Sequence, residues 1–264
     1  GKLMRVFDFN SAIVRTPGRS VVNGLRAAPG PAPVFEALVA EHQGYVGALR
    51  AAGVEVTVLD ELEEFPDSIF VEDPALVFPE GAILLRPGTA SREAEAAELA
   101  PALQARFDTV LTLAEGFADG GDVLVTPARI FIGLSERTDR AGAAALVDLL
   151  ATLGRQGAVV QPPAGTLHLK TAASLLDDET ILATRAVAAT GLFDGFRIVT
   201  VPEGEEGGAN VLRLNDRVLA GSRYPMTLDL LDRLGFAPVP LDVDEIGKID
   251  AGLTCMSLRW HGGG

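Results

Sequence analysis

Thiols are almost missing from this chain: Cys255 is the one cysteine among 264 residues. A single thiol excludes an intrachain disulfide and any CxxC metal motif. Histidine is nearly as scarce, so a catalytic imidazole has to be His42, His168 or His261. Cationic residues are outnumbered, 22 Lys and Arg against 36 Asp and Glu, which gives a formal net charge of −14 and a pI near 4.6. That balance argues against nucleic acid and against anionic membrane surfaces, and it favours a cationic small substrate. No apolar run reaches the ~18–20 residues of a membrane span. No GxSxG elbow, P-loop, HExxH or GxGxxG occurs, so nucleotide binding and structural zinc have no support in the sequence. No cofactor and no metal is expected. Cys255, His168 and a carboxylate could at most gather an adventitious zinc. Gly1-Lys2-Leu3 reads as a remnant ahead of Met4, without a signal-peptide core. A free thiol and no visible address make the cytoplasm the expected location.

What the chain does have is a recurring pattern. Apolar hairpins turn at short polar segments, and a helix-like stretch follows each. Asp73–Phe78 turns into Ala82–Leu85, Asp122–Val125 into Ile130–Ile132, Ala172–Leu176 into Thr180–Ala183, and Asn210–Leu214 into Val218–Ala220. The turns are rich in Gly, Pro, Asn and Asp, as hairpins require. Between them, Leu146, Leu149, Leu150 and Leu153 fall at i, i+3, i+4 and i+7, with Thr138 and Asp139 as N-cap candidates and Gly154 at C′. Further helices are predicted from about Val34 to Ala52, from Ser91 to about Ala100 where Pro101 interrupts, and after Pro225.

Four such units at intervals of roughly 40–50 residues indicate a repeat fold. A fifth unit would join the C-terminal strand around Cys255 to the N-terminal strand Ser11–Arg15, which removes open sheet edges. An open α/β sheet is the alternative. Radial closure is favoured because hairpins outnumber single crossovers.

Cys255 is either a small core residue or a nucleophile. His42, beside Glu41 and Gln43, is predicted to face solvent, and His261 belongs to a Gly-rich tail. His168, at the start of a strand after Pro162-Pro163, is the candidate acid/base or a structural histidine. Asp67-Ser68-Ile69-Phe70-Val71-Glu72-Asp73 and Asp119-Gly120-Gly121-Asp122 place carboxylates at two successive strand starts. Arg92 and Arg137 each follow a second hairpin strand, close to helix starts where a cation gains nothing from the dipole. Arginine forks in that position suit a carboxylate ligand.

Together these segments, with Arg86-Pro87-Gly88, Gly133–Thr138 and Leu167–Thr171, resemble the dimethylarginine dimethylaminohydrolases of the pentein, or guanidino-modifying, superfamily. The resemblance runs from Ala12 to Cys255. It implies an α/β fold built as a five-bladed pseudo-symmetric propeller, with residues 1–264 forming one catalytic domain. It implies Cys255 as nucleophile, His168 as general acid/base and Asp119 as the carboxylate that orients His168. Asp73, Asp67 and Glu72 would line the guanidinium end of the pocket. Arg92 and Arg137 would hold the α-carboxylate. Leu25 would sit in a lid loop, and Ile249 would offer a backbone contact. The implied reaction converts N-omega-methylated arginines to citrulline and an amine. The partner implied is a small methylated arginine, with neither nucleic acid nor membrane, and a homodimer is left open. Arginine deiminases, the nearest alternative, carry an acid two positions after the histidine, where this chain has Lys170. Agmatine has no carboxylate for the two arginines. A non-catalytic pentein is the third reading.

Overall fold

The computed structural model describes residues 4–89 and 92–263. Its first strand, β1 (Ser11–Arg15), pairs in parallel with β2 (Glu55–Leu59), and helix Phe35–Ala51 makes the crossover. The next blade is the hairpin β3 (Ala75–Phe78) and β4 (Gly81–Leu84) with parallel β5 (Val110–Thr112) outside it. The third is β6 (Val123–Val125), β7 (Ile130–Gly133) and β8 (Gly157–Val160). The fourth is β9 (Ala173–Asp177), β10 (Thr180–Ala183) and β11 (Arg197–Thr200). The fifth is β12 (Leu212–Leu214), β13 (Arg217–Gly221) and β14 (Pro238–Leu241). Finally β15 (Leu258–Trp260) returns to pair antiparallel with β1, Ser11 opposite Trp260. Among the described residues this gives five three-stranded sheets, each with an inner strand antiparallel to a middle strand that is parallel to an outer one. The predicted five-bladed α/β propeller is this structure, and the two ends of the chain share one blade.

The sequence follows the layers. Middle strands β4, β7 and β10 are buried along their whole length, so they read as unbroken apolar runs. Outer strands such as Glu55–Leu59 are half-exposed and carry mixed residues. Helix Arg140–Thr152 presents Ala143, Leu146 and Leu150 to the core. Its N-cap is Asp139, whose carboxylate accepts from Gly142 N at 2.7 Å and Phe117 N at 3.0 Å. Gly154 then takes φ +77°, the left-handed turn that ends the helix.

Three predicted features are corrected. Helix Glu95–Gln104 runs through Pro101 instead of stopping there, and Ala105 N bonds Pro101 O at 3.0 Å to keep the next turn; the predicted start at Ser91 lies outside the described residues. His42 is buried, because it shares the inner helix stripe with Leu38, Tyr45 and Leu49. Burial drives its imidazole down to about 4, so it is a neutral core residue. His168 does not enter a strand directly: it caps the one-turn helix Leu169–Ala172 ahead of β9.

Candidate active site

Among the described residues, two of the cavities between the blades bear on function. The larger, about 580 Å³, is walled by segments of the five inner strands β3, β6, β9, β12 and β15 and does not include the thiol. Its cations are largely answered: Arg5 by Asp8, Arg155 by Glu80, and both Lys170 and Arg259 by Glu72. Arg213 bonds main-chain carbonyls of Asn215 and Leu176 at 2.8 and 2.6 Å.

The smaller cavity, about 250 Å³, is where most of the predicted site residues gather. Eight of the ten predicted site residues line it: Leu25, Asp67, Asp73, Arg92, Arg137, His168, Ile249 and Cys255. Glu72 and Asp119 do not. Lys170 borders both cavities and, with Glu72 and Arg259, forms a buried ion triad between them.

Cys255 sits in a turn just before β15, half-buried. Its amide donates to Gly252 O and its carbonyl accepts from Glu72 N, each at 3.2 Å. Burial pushes the thiol up to about 12, and the Asp73 and Glu72 charges push the same way. The thiol is therefore neutral in the unliganded protein.

The Asp119-Gly120-Gly121-Asp122 motif owes its glycines to contact. A Cβ on Gly120 would lie 1.8 Å from Glu72 O, and one on Gly121 would press the His168 ring at 3.2 Å. The bare backbone lets this turn pass beneath the imidazole. The carboxylate against His168 is Asp122, with Oδ2 3.2 Å from Nδ1, and not the predicted Asp119. Asp122 is fixed on its other sides by Ser135 Oγ at 2.6 Å, Thr138 Oγ1 at 2.7 Å and Leu169 N at 3.1 Å. Asp119 points elsewhere. Its Oδ1 caps Gly121 N at 2.8 Å, while Oδ2 has no hydrogen-bond partner among the described residues and lies 3.8 Å from Arg137 Nη1. Burial, followed by the Asp73 charge, raises the Asp119 carboxyl well above the usual range. Desolvation works to lower His168, but Asp122, Asp119 and Asp73 outweigh it and hold the imidazole up at about 9. At neutral pH it is the imidazolium, a proton donor.

Removing the Asp122 charge removes the main support for that proton. In Asp122→Asn the basic limb of kcat/KM is expected to move to lower pH, because a lost neighbouring anion lowers a histidine. A limb that stays near 9 would disconnect Asp122 from the imidazole.

Arg92 reaches the cavity wall but is already engaged. It is 1% exposed and pairs with Asp73 through Nη1. It binds Glu95 at 2.9 and 2.6 Å, and the carbonyls of Asp67 and Phe70 at 3.2 Å each. Arg137 is the freer cation, with a side chain 22% exposed. Glu72, predicted to line the guanidinium pocket, is turned away by Lys170 and Arg259; this corrects the expectation. Lys170 at the deiminase position thus pairs with Glu72 at the edge of the cavity.

Segment 19–34, which reaches the cavity at Leu25, is tied down by carboxylates that accept its main-chain N–H groups. Asp67 takes Leu25 N at 3.0 Å, Asp250 takes Ala27 N, and Glu63 takes Ser20 N at 3.0 Å. Phe70, Asn210, Arg223, Tyr224 and Asp250 also form the cavity wall, beyond the residues expected from the sequence. Phe70 lies inside the Asp67–Asp73 motif and Asn210 at the start of a predicted hairpin. The others sit in segments whose composition carries no signal of their placement.

Comparison with known proteins bears on the whole chain. A family model described as N,N dimethylarginine dimethylhydrolase, eukaryotic, matches residues 33–153. The dimethylarginine dimethylaminohydrolase of Pseudomonas aeruginosa is 35% identical over 254 residues, spanning 96% of this chain and all of that protein. Its namesake in Streptomyces coelicolor is 36% identical over 252 residues, 94% of this chain and 96% of that one. The solved structure of a cysteine-to-serine variant of the Pseudomonas enzyme, complexed with citrulline, superposes with a TM-score of 0.92 at 36% identity. It covers 96% of this chain and all of that one. No helix among the described residues is long and apolar enough to cross a membrane. With full-length identity at this level, the chain belongs to the dimethylarginine dimethylaminohydrolase family.

Proposed function

We propose that this protein hydrolyses N-omega-methylated arginines to citrulline and methylamine or dimethylamine, as one catalytic domain, with Cys255 as nucleophile. The observation that carries the reading is convergence. A lone thiol near the C-terminus and an imidazole from mid-chain line one small cavity together with Asp67 and Asp73, in a chain 35% identical end to end to a protein of that name.

A guanidinium is a poor electrophile, so the site has to hold it and raise the nucleophile with it. Asp73 on the cavity wall supplies the counter-charge; hydrogen bonds to charged groups are worth about 1.5–3 kcal/mol each. A thiol pushed up to about 12 is almost entirely protonated at pH 7. A bound cation offsets the acidic surroundings that keep it neutral, so the thiol gives its proton to solvent and thiolate forms with the substrate in place. Sγ adds to the central guanidinium carbon and gives a tetrahedral adduct. The His168 imidazolium protonates the methylated nitrogen, and the C–N bond breaks to release the amine. A thiouronium remains on Cys255. Neutral His168 then takes a proton from water as its oxygen adds to that carbon. That transfer restores the imidazolium; collapse then expels the Cys255 sulfur, which takes the adduct's hydroxyl proton to become the resting thiol, and leaves citrulline.

Arg137, with the edge of Arg92 behind it, holds the α-carboxylate. Arg137→Ala is expected to raise KM about 10- to 100-fold, the equivalent of a lost charge-assisted bond, with kcat much less affected. An unchanged KM would remove this assignment.

The function itself is tested by incubating the protein with asymmetric dimethylarginine, monomethylarginine and arginine, and measuring citrulline and released amine. Citrulline from the methylated substrates supports the reading. Citrulline from arginine alone identifies a deiminase, and no citrulline from any of the three identifies a non-catalytic binder.

A further inference from the structure

The catalytic pair comes from different blades. His168 precedes β9 and Cys255 precedes β15, so something from outside both segments has to fix one against the other. Asn210 lies between them. It follows the 3-10 turn Glu206–Ala209 and lines the catalytic cavity. Its Nδ2 donates to Lys170 O, two residues after His168, and to Thr254 Oγ1, next to Cys255, both at 2.9 Å. Its Oδ1 accepts from Thr254 N at 3.3 Å. Both amide donors and the acceptor are thereby spent on the two catalytic segments.

The surroundings are built for this contact. Ser174 of β9 clasps the backbone on either side of Asn210, donating to Ala209 O at 2.6 Å and accepting from Val211 N at 3.0 Å. Gly252 lets the nucleophile turn close on the amide, since a Cβ there would lie 2.4 Å from Oδ1. A planar amide held by its own backbone clasp is a rigid spacer, the kind of support that holds reacting groups in productive geometry.

We propose that Asn210 is a positioning residue for the reaction: it sets the Cys255 turn against the His168 segment without touching the bond that breaks. The inference rests on Cys255 and His168 being the catalytic pair. Removing the side chain loosens their alignment, and misplacement of about 1 Å costs on the order of 10²-fold in rate.

The test is a kinetic series with Cys255→Ser run alongside. Asn210→Ala is expected to lower kcat roughly 10- to 100-fold while KM stays within about 3-fold. Thr254→Val, which deletes one of the three bonds, should show a smaller loss in kcat, and Thr254→Ser should restore it. The Asn210→Ala and Thr254→Val losses should combine less than additively, as expected for partners in one contact. If Asn210→Ala does not accumulate as folded protein, the Thr254 pair reads the same contact alone. A folded Asn210→Ala enzyme with kcat within 2-fold of the parent, or Thr254→Val and Thr254→Ser behaving alike, would overturn the proposal. Full turnover by Cys255→Ser would instead overturn the catalytic reading beneath it.

Discussion

Cys255→Ser is expected to give a folded protein that releases citrulline at least ~10³-fold more slowly than the parent enzyme. The oxygen is close in size, so packing around the half-buried turn changes little, and the main-chain bonds to Gly252 and Glu72 do not involve the side chain. What changes is nucleophilicity. The site is built to make even a thiol reluctant to ionise without a cation beside it, and a hydroxyl is far harder to ionise. Thermal unfolding should stay within about 1–2 °C of the parent while turnover collapses. Parallel losses of stability and activity would assign Cys255 to the core. Parent-like turnover would exclude covalent catalysis.

Arg92→Ala is expected to act on the fold as much as on the substrate. The guanidinium is nearly inaccessible and lies between the carboxylates of Asp73 and Glu95. Truncation leaves both buried acids without their cation and two carbonyls without their donor. Breaking a buried pair in this way costs about 3–5 kcal/mol, a fall in Tm of roughly 6–20 °C for a chain of this size. Arg92→Lys keeps the charge but not the fork, and should recover only part of the loss. Differential scanning calorimetry of both variants beside Arg137→Ala separates the roles. Arg137 should change KM at constant Tm, and Arg92 should move Tm. An Arg92→Ala protein with parent-like Tm and raised KM alone would make Arg92 a simple carboxylate clamp.

The fold was legible in the sequence wherever two layers of the blade were both buried. Ile130-Phe131-Ile132 and Ile181-Leu182-Ala183 announce themselves because middle strands face core on both sides. The outer strands escaped notice. Glu55–Leu59, Gly157–Val160 and Pro238–Leu241 are partly exposed, are reached by a helical crossover, and have no turn beside them to mark a hairpin. The repeat therefore read as hairpins, although each blade also holds a parallel pair. His42 was misread because its neighbours in sequence, Glu41 and Gln43, lie on other faces of the helix.

The site divides in the same way. Residue types scarce enough to stand out, the one cysteine and the central histidine, were found directly. Carboxylates were found as a group but not as individuals. Asp119 and Asp122 are three residues apart in one motif, and only the turn geometry shows that Asp122 meets the imidazole. Glu72 looked like a pocket acid because nothing in its segment reveals Lys170 and Arg259, 98 and 187 residues away. Asn210 was invisible for a related reason: its role lies in bonds to two distant segments.

Acid-quenched turnover followed by mass spectrometry of the Ile249–Arg259 tryptic peptide tests the central claim most directly. A thiouronium on Cys255 forms after the amine has left, so asymmetric dimethylarginine and monomethylarginine should add the same mass to this peptide. The modified fraction should rise and decay with citrulline production. Steady citrulline formation with the peptide unmodified at every time point would contradict the account.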